Sequence, residues 1–412
     1  MIKNTKYYPW VAVGLLWLVA LLNYMDRQML STMKPAMQVD IVELQTATNF
    51  GRLMAVFLWI YGLMSPISGV IADKISRKKI IVGSLFVWSM VTFMMGYATN
   101  FNQLYILRAL MGISEALYIP AALSLIADLH STKTRSLAIG IHMTGLYFGQ
   151  ALGGFGASIA QSYTWEAAFH SFGLFGMIYA LVLMLFLSDT HRIATQKLIT
   201  ERVPILKTLG LLFSNIAFWV ILFYFAVPSL PGWAVKNWLP TLFSENLQID
   251  MSEAGPMSTI TIAVSSFFGV IFGGILSDKW VQKNLRGRVY TSAIGMCLTI
   301  PAILLIGFGH NMLHLLGAAF CFGFGFGMAD ANFMPILSQF VGSKQRGTAY
   351  GLMNMLGVFA GAFITDWLGR STDSGNLGKD FAMLAGVVLL AVLIQLISLR
   401  PKHKDFGLTD EV

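Results

Sequence analysis

Residues 69–74 read Gly69-Val-Ile-Ala-Asp73-Lys74, and residues 274–279 read Gly274-Ile-Leu-Ser-Asp278-Lys279. Each stretch ends an apolar run and leads into a basic loop, the first continuing through Ser76, Arg77, Lys78 and Lys79. The offset is 205 residues, and two further matches follow in the same order. Gly112, Glu115 and Pro120 match Gly327, Asp330 and Pro335 at an offset of 215, and Arg135 and Gly140 match Arg346 and Gly351 at 211. Near-constant offsets divide the chain into two homologous halves, a pattern typical of membrane proteins with internal repeats.

Composition agrees. The chain has 412 residues, of which 56% are hydrophobic and 12% charged, against about 25% charged in soluble domains. Its mean hydropathy is +0.67. So much apolar surface has to face lipid, which excludes a secreted enzyme, a disordered scaffold and a single-pass receptor. Apolar runs fall at 10–33, 53–72, 80–98, 102–127, 136–162 and 167–188, and again at 211–242, 255–277, 289–309, 312–340, 347–368 and 381–399. Each is long enough to cross a bilayer at about 20 residues per span. The expected fold is all-α with twelve transmembrane helices in two six-helix bundles. The bundles are residues 1–188 and 211–400, with a connector at 189–210 and a tail at 401–412. With both termini cytoplasmic, the inner segments hold 21 of the 28 Lys and Arg residues and the outer segments 4. The +8 net charge therefore reports topology and contact with membrane lipid rather than nucleic acid. Cys297 and Cys321 both sit in apolar runs and provide no disulfide framework or zinc spacing.

At these residues the chain resembles the major facilitator superfamily. The segment from Gly69 to Lys79 is similar to that family's loop signature between helices two and three, with Lys74 where Arg is commoner and Ser76 where Gly is commoner. Asn23-Tyr24-Met25-Asp26-Arg27 and Arg108-Ala-Leu-Met-Gly112-Ile-Ser-Glu115 resemble both its anion:cation symporters and its spinster-like transporters. Leu125-Ile-Ala-Asp128-Leu with Arg135-Ser136 is closer to the spinster-like group, and Asn237-Trp238-Leu239-Pro240-Thr241 to the anion:cation symporters. In the latter group the positions matching Asp26 and Glu115 carry protons, and the one matching Arg27 contacts the anion.

The residues themselves support a compatible reading. A lone charge within a span is costly, so Asp26, Arg27 and Arg108 are expected to meet in an aqueous cavity. Asp26 is expected to partner Arg108, which leaves Arg27 to hold a substrate anion; the bland reading is that Asp26 and Arg27 cap the outer end of helix one. Arg108, Gly112 and Glu115 share one helical face, and Glu115, held away from water, can take up and release a proton. The alternative is a structural carboxylate. Asp330, taken as the repeat mate of Glu115, is a second proton site, a partner for a sugar hydroxyl, or a packing carboxylate. Lys236, after a helix break at Pro228–Gly232, is a second anion contact or a lysine reaching the interface. His142, Tyr24, Tyr61, Tyr118 and Asn332 are further candidates for lining the site, weighed against ordinary packing. Gly69, Asp73, Lys74, Arg77, Lys78 and Asp278 are expected to form a cytoplasmic gate, against simple positive-inside topology.

No Walker A sequence, metal motif or nucleophile–base pair is present, so neither cofactor, metal nor enzyme activity is implied. The expectation is a monomeric, multi-pass protein of a bacterial inner membrane that carries a small organic anion, a sugar acid or acidic sugar, with protons by alternating access. Its alternatives are a spinster-like transporter of lysolipid or another amphiphile, and a non-transporting receptor.

Overall fold

A computed structural model describes residues 7–131, 134–188, 205–342 and 345–403. Among these residues the secondary structure is helical, with no strand. Helices α1 (Tyr8–Asp40), α2 (Ala47–Lys74), α3 (Arg77–Met95), α4 (Phe101–Glu115), α5 (Tyr118–Leu129), α6 (Arg135–Gly153), α7 (Gly156–Ser162) and α8 (Trp165–Phe186) come first. Then follow α9 (Ile205–Phe213), α10 (Ile216–Leu247), α11 (Met251–Lys283), α12 (Gly287–Phe308), α13 (Met312–Ser338), α14 (Arg346–Asp373) and α15 (Leu377–Ser398). Two compact units result, Met1–Glu201 with Met251–Pro256, and Arg202–Asp250 with Met257–Val412.

Polar caps set the helix starts. Thr46, Ser76, Asn100, Thr164 and Asn311 each accept a hydrogen bond from the backbone N–H three residues on, satisfying a donor the helix cannot. Among the described residues eleven segments are long and apolar enough to cross a membrane, with α4 and α5 forming one such segment, Phe101–Leu129. The expected fifth span is different. It divides into α6 and α7 around Gly154 and Phe155, and α6 carries fully buried His142 and nearly buried Gln150. Packing within its own unit, rather than hydropathy, places this segment in the fold.

The outer faces confirm lipid as the solvent. On α8, Leu174, Ile178, Leu181 and Leu185 are 49–64% exposed along one helical stripe. A stripe of this kind on each of several helices would be an aggregation liability in water.

Close helix approach depends on glycine. Gly145, Gly149 and Gly153 recur every fourth residue on α6, and a Cβ on each would lie 2.6, 2.2 and 2.5 Å from Trp17 O, Leu21 O and Gln28 Cβ of α1. This is the packing role that small residues play in membrane helix pairs. Gly357 and Gly361 on α14 receive Phe225 and Trp233 of α10 in the same manner.

Three sequence expectations need correction. Helix α1 does not stop near residue 33 but continues through Pro35 to Asp40, so Asp26 lies about 27 Å from its start and does not cap its end. Helix α10 is not broken at Pro228–Gly232; it runs from Ile216 to Leu247 with Pro228, Pro231 and Pro240 inside it. Neighbouring hydroxyls and packing make such prolines tolerable in membrane helices, and here Ser229 Oγ donates to the Phe225 carbonyl.

The third concerns repeat register. The capping residues Asn100 and Asn311 are 211 apart. Arg77 donates to the Ser124 carbonyl and Arg288 to the Pro335 carbonyl, again 211 apart at both ends. Gly112 abuts the Phe57 carbonyl and Gly323 the Ile262 carbonyl, which keeps the 211 offset on α4/α13 and the 205 offset on α2/α11. The mate of Gly112 is therefore Gly323 rather than Gly327, and the mate of Glu115 is Phe326 rather than Asp330. The 215 match arose because Gly recurs every second residue from Gly323 to Gly327, so a one-turn slip still aligns a glycine.

Gly149→Ala is expected to cost about 1–3 kcal/mol through overpacking against α1, lowering the thermal unfolding temperature in detergent. Gly83→Ala, with nothing within 4 Å of its Cβ, should leave that temperature unchanged or raise it slightly.

Candidate functional site

Four charged side chains of the first unit, Asp26 and Arg27 on α1 and Arg108 and Glu115 on α4, form a cluster with side chains of α2 and α3. Asn23 and Arg27 are one turn apart on α1 and present the same face. Both donate to one oxygen of Glu115: Asn23 Nδ2 at 2.9 Å and Arg27 Nε at 2.7 Å from Oε2. Glu115 is fully buried at the last residue of α4, and the Arg27 side chain is 11% exposed. Gly112, three residues before Glu115, lets α4 reach the α2 backbone, since a Cβ there would lie 2.7 Å from Phe57 O.

Aromatic rings wall the guanidinium. The Arg27 Cζ lies 5.1 Å from the Tyr24 ring centroid, 4.8 Å from Phe57 and 4.7 Å from Tyr61. Each such contact contributes about 0.5–2 kcal/mol of cation–π attraction, the upper end where water is excluded. Arg108 shares Phe57, with its Cζ 4.7 Å from that ring. It is 3% exposed and donates through Nη1 to the Met111 thioether at 3.2 Å.

The pairing differs from the sequence expectation. Asp26 and Arg108 form no ion pair within 4.0 Å among the described residues; the buried pair is Arg27–Glu115. Asp26 instead accepts a 3.4 Å hydrogen bond from Thr92 Oγ1 on α3. Two carboxylates and two guanidiniums make the cluster formally neutral, which is how four ionisable groups can share a buried site. Several polar atoms stay without a protein partner, among them Asp26 Oδ1, Arg27 Nη2, Arg108 Nε and Glu115 Oε1.

The other candidates are distributed more widely. Tyr24 and Tyr61 belong to the cluster, and Tyr118 does not: it is fully buried at the start of α5 and its hydroxyl donates to the Leu16 carbonyl at 2.7 Å. His142 packs beside it with ring centroids 6.0 Å apart. In the second unit, Asn332 is fully buried and donates to the Met328 carbonyl of its own helix. Asp330 is exposed partway along α13, and Lys236 on α10 is a basic group close enough to act on it electrostatically. The Lys236 ammonium lies 4.8 Å from the Trp233 ring centroid. Of the expected gate, Arg77 forms an ion pair with Asp128 at the end of α5 and donates to the Ser124 carbonyl, within its own unit. Lys78 is half-buried and Asp278 exposed. The side chains of Gly69, Asp73 and Lys74 lie outside the described residues.

Phe57, Thr92 and Met111 belong to the cluster and do not stand out from sequence. Phe57 had a readable sign: with Tyr61 it makes an aromatic pair one turn apart on α2, with ring centroids 5.8 Å apart.

The chain can now be set beside known proteins. Residues 16–365 match the family model of the Major Facilitator Superfamily. The chain is 25% identical to a hexuronate transporter of Bacillus subtilis (strain 168), over 94% of this chain and 93% of that one. It is 26% identical to a probable galactarate/D-glucarate transporter of Escherichia coli (strain K12), over 86% of each. It is 25% identical to a sphingosine-1-phosphate transporter of Xenopus tropicalis, over 96% of this chain and 82% of that one. A solved structure of a bacterial homolog of the human lysosomal transporter Spinster, inward-facing and occupied, has a TM-score of 0.79 at 18% identity, covering 96% of this chain and 97% of that one. Eleven segments among the described residues long and apolar enough to span, an internal repeat and a family match over most of the chain lead to one conclusion: this is a multi-pass membrane protein of the Major Facilitator Superfamily, a family of transporters and not of enzymes.

Proposed function

We propose that the protein is a proton-coupled symporter of a small organic anion of the sugar-acid class, working by alternating access. The observation that carries this reading is the way Arg27 is held. Glu115 engages Arg27 through Nε, and the buried Nη2 has no hydrogen-bond partner among the described residues. A guanidinium held by a carboxylate through one nitrogen keeps further donors for a second carboxylate, which arginine can bind by two parallel hydrogen bonds once those donors are uncovered. The names of the hexuronate and galactarate/D-glucarate relatives agree with a substrate of this kind.

Coupling then follows from competition for one cation. A charged Glu115 draws Arg27 toward itself, assisted by Asn23. A proton on Glu115 removes that attraction, and the substrate carboxylate takes the place of the lost charge. Release of the proton restores the Arg27–Glu115 pair and expels the anion. Asp26, across the cluster beside Thr92, is the second proton carrier. The Lys and Arg distribution supports both termini in the cytoplasm, and we take the protein to be a monomer of a bacterial inner membrane.

Uptake into proteoliposomes tests the reading. Glucuronate, galacturonate and glucarate should accumulate only with an inward proton gradient, and neutral sugars, sphingosine-1-phosphate and lysolipids should neither accumulate nor compete. Glu115→Gln should abolish gradient-driven accumulation; full accumulation by that variant refutes the coupling role. Arg27→Lys, which keeps the charge and loses the planar fork, should raise KM at least tenfold.

The same pair yields a stability prediction. Arg27→Ala strands a buried carboxylate and should destabilise by about 3–5 kcal/mol. Glu115→Gln added to Arg27→Ala should recover most of that loss, because no uncompensated charge then remains. Thermal unfolding of the two variants, with exposed Arg135→Ala as the reference, measures both effects.

A further inference from the structure

The 211-residue register places Gln339 where the first unit has Asp128, and this exchange of a carboxylate for an amide has a consequence at the turn between α11 and α12. In the first unit Asp128 neutralises Arg77. In the second, Gln339 Nε2 donates to the Leu285 carbonyl at 3.0 Å and the His403 carbonyl at 3.2 Å. It ties the turn to the chain beyond α15 without supplying charge. Residues 277–290 hold Lys279, Lys283, Arg286 and Arg288 against Asp278 as the one acidic residue.

Two aromatic rings share this segment, and Arg286 contacts one of them. Trp280 and Tyr290 lie with ring centroids 5.5 Å apart and planes inclined at 46°. The Arg286 guanidinium sits over the Tyr290 ring at 4.9 Å. Its Nη2 donates to the Leu396 carbonyl of α15, which fixes the side chain, and its Nε has no protein partner. Lys279 and Lys283, one turn apart at the end of α11, are both exposed, and among the described residues neither forms an ion pair. Arg286 has no carboxylate partner there either.

Trp and Tyr at the end of a spanning helix mark the level of the lipid headgroups. Basic residues beside them face the phosphates of that layer, and basic pockets between helix ends bind anionic headgroups. A soluble anion would have no use for the paired rings; a phospholipid uses both parts, with its phosphate among the cations and its glycerol and upper acyl carbons against Trp280 and Tyr290. We propose that Lys279, Trp280, Lys283, Arg286 and Tyr290 form a binding site for the headgroup of an anionic phospholipid such as phosphatidylglycerol. The site belongs to the second unit alone and is separate from the Arg27–Glu115 cluster, so it stands whatever that cluster carries.

Native mass spectrometry of the full-length protein, purified and titrated with phosphatidylglycerol or phosphatidylethanolamine, tests the site. The wild-type protein should retain phosphatidylglycerol in preference to phosphatidylethanolamine. Each charge near an anionic surface changes affinity about fivefold, so Lys279→Gln with Lys283→Gln should weaken phosphatidylglycerol binding about 25-fold. Both lysines are exposed, so the double variant keeps its fold; Arg286→Gln provides a second variant with a loss of about fivefold or more. Lys79→Gln, exposed at the corresponding turn of the first unit, should bind as wild type. Unchanged binding in the double variant overturns the proposal, as does an equal loss in Lys79→Gln, equal retention of phosphatidylethanolamine, or displacement of the lipid by inorganic phosphate.

Discussion

The first unit is built around an ion pair whose carboxylate is fully buried and whose guanidinium is nearly so. Arg27 and Glu115 meet at 2.7 Å inside a ring of Tyr24, Phe57 and Tyr61. Each feature nearby serves that contact. Helix α1 continues to Asp40, which keeps Asn23 and Arg27 within regular helix. Gly112 gives α4 the room to bring Glu115 against α2. The end of α4 at Glu115, followed by a two-residue turn before α5, places the carboxylate at a change in helix geometry rather than inside a rigid turn. Charges in such a place are tolerated only when each is answered by another, and the near-balance of Asp26, Arg27, Arg108 and Glu115 satisfies that condition.

Much of this was legible in the sequence, for physical reasons that can be named. Twelve apolar runs reflect lipid as solvent, and the solvent preference of a 20-residue stretch survives errors at its edges. Asp26, Arg27, Arg108 and Glu115 stood out because charge inside a span is rare. Pairing was not legible. Which carboxylate meets which arginine depends on helix rotation and on differences of one turn in depth, and apolar periodicity does not fix the rotation of a helix that is apolar on both its exposed and its packed face. The α6 segment shows the same limit from the other side: His142, Gln150 and three glycines lower its hydropathy, although it is as much a part of the unit as its neighbours. Phe57 shows in the sequence only as an aromatic one turn from Tyr61, a spacing that core packing produces as well as a ring under a guanidinium.

The repeat illustrates how a real signal can carry a false detail. Glycine every second residue along Gly323–Gly327 lets a sequence match slip by one helical turn and still align a glycine with Gly112. Helix caps and backbone contacts do not slip in this way, since an N-cap marks one residue and a Cβ clash marks one neighbour. The corrected register removes the apparent equivalence of Glu115 and Asp330 and aligns Glu115 with Phe326.

That correction turns the second unit into an internal control on the first. At the positions of Arg108 and Glu115 the second unit has Ala319 and Phe326, and at the position of Phe57 it has Ile262. Helix α13 nevertheless approaches α11 through Gly323 as α4 approaches α2 through Gly112. The packing therefore forms without the ion pair, using apolar side chains that carry no desolvation cost. Buried ion pairs are often no more stabilising than the apolar groups that could replace them, and here the replacement exists within the same chain. Arg108 and Glu115 are thus charges that this helix approach does not need, and the reason for them has to be sought in what a mobile proton and a shared guanidinium can do.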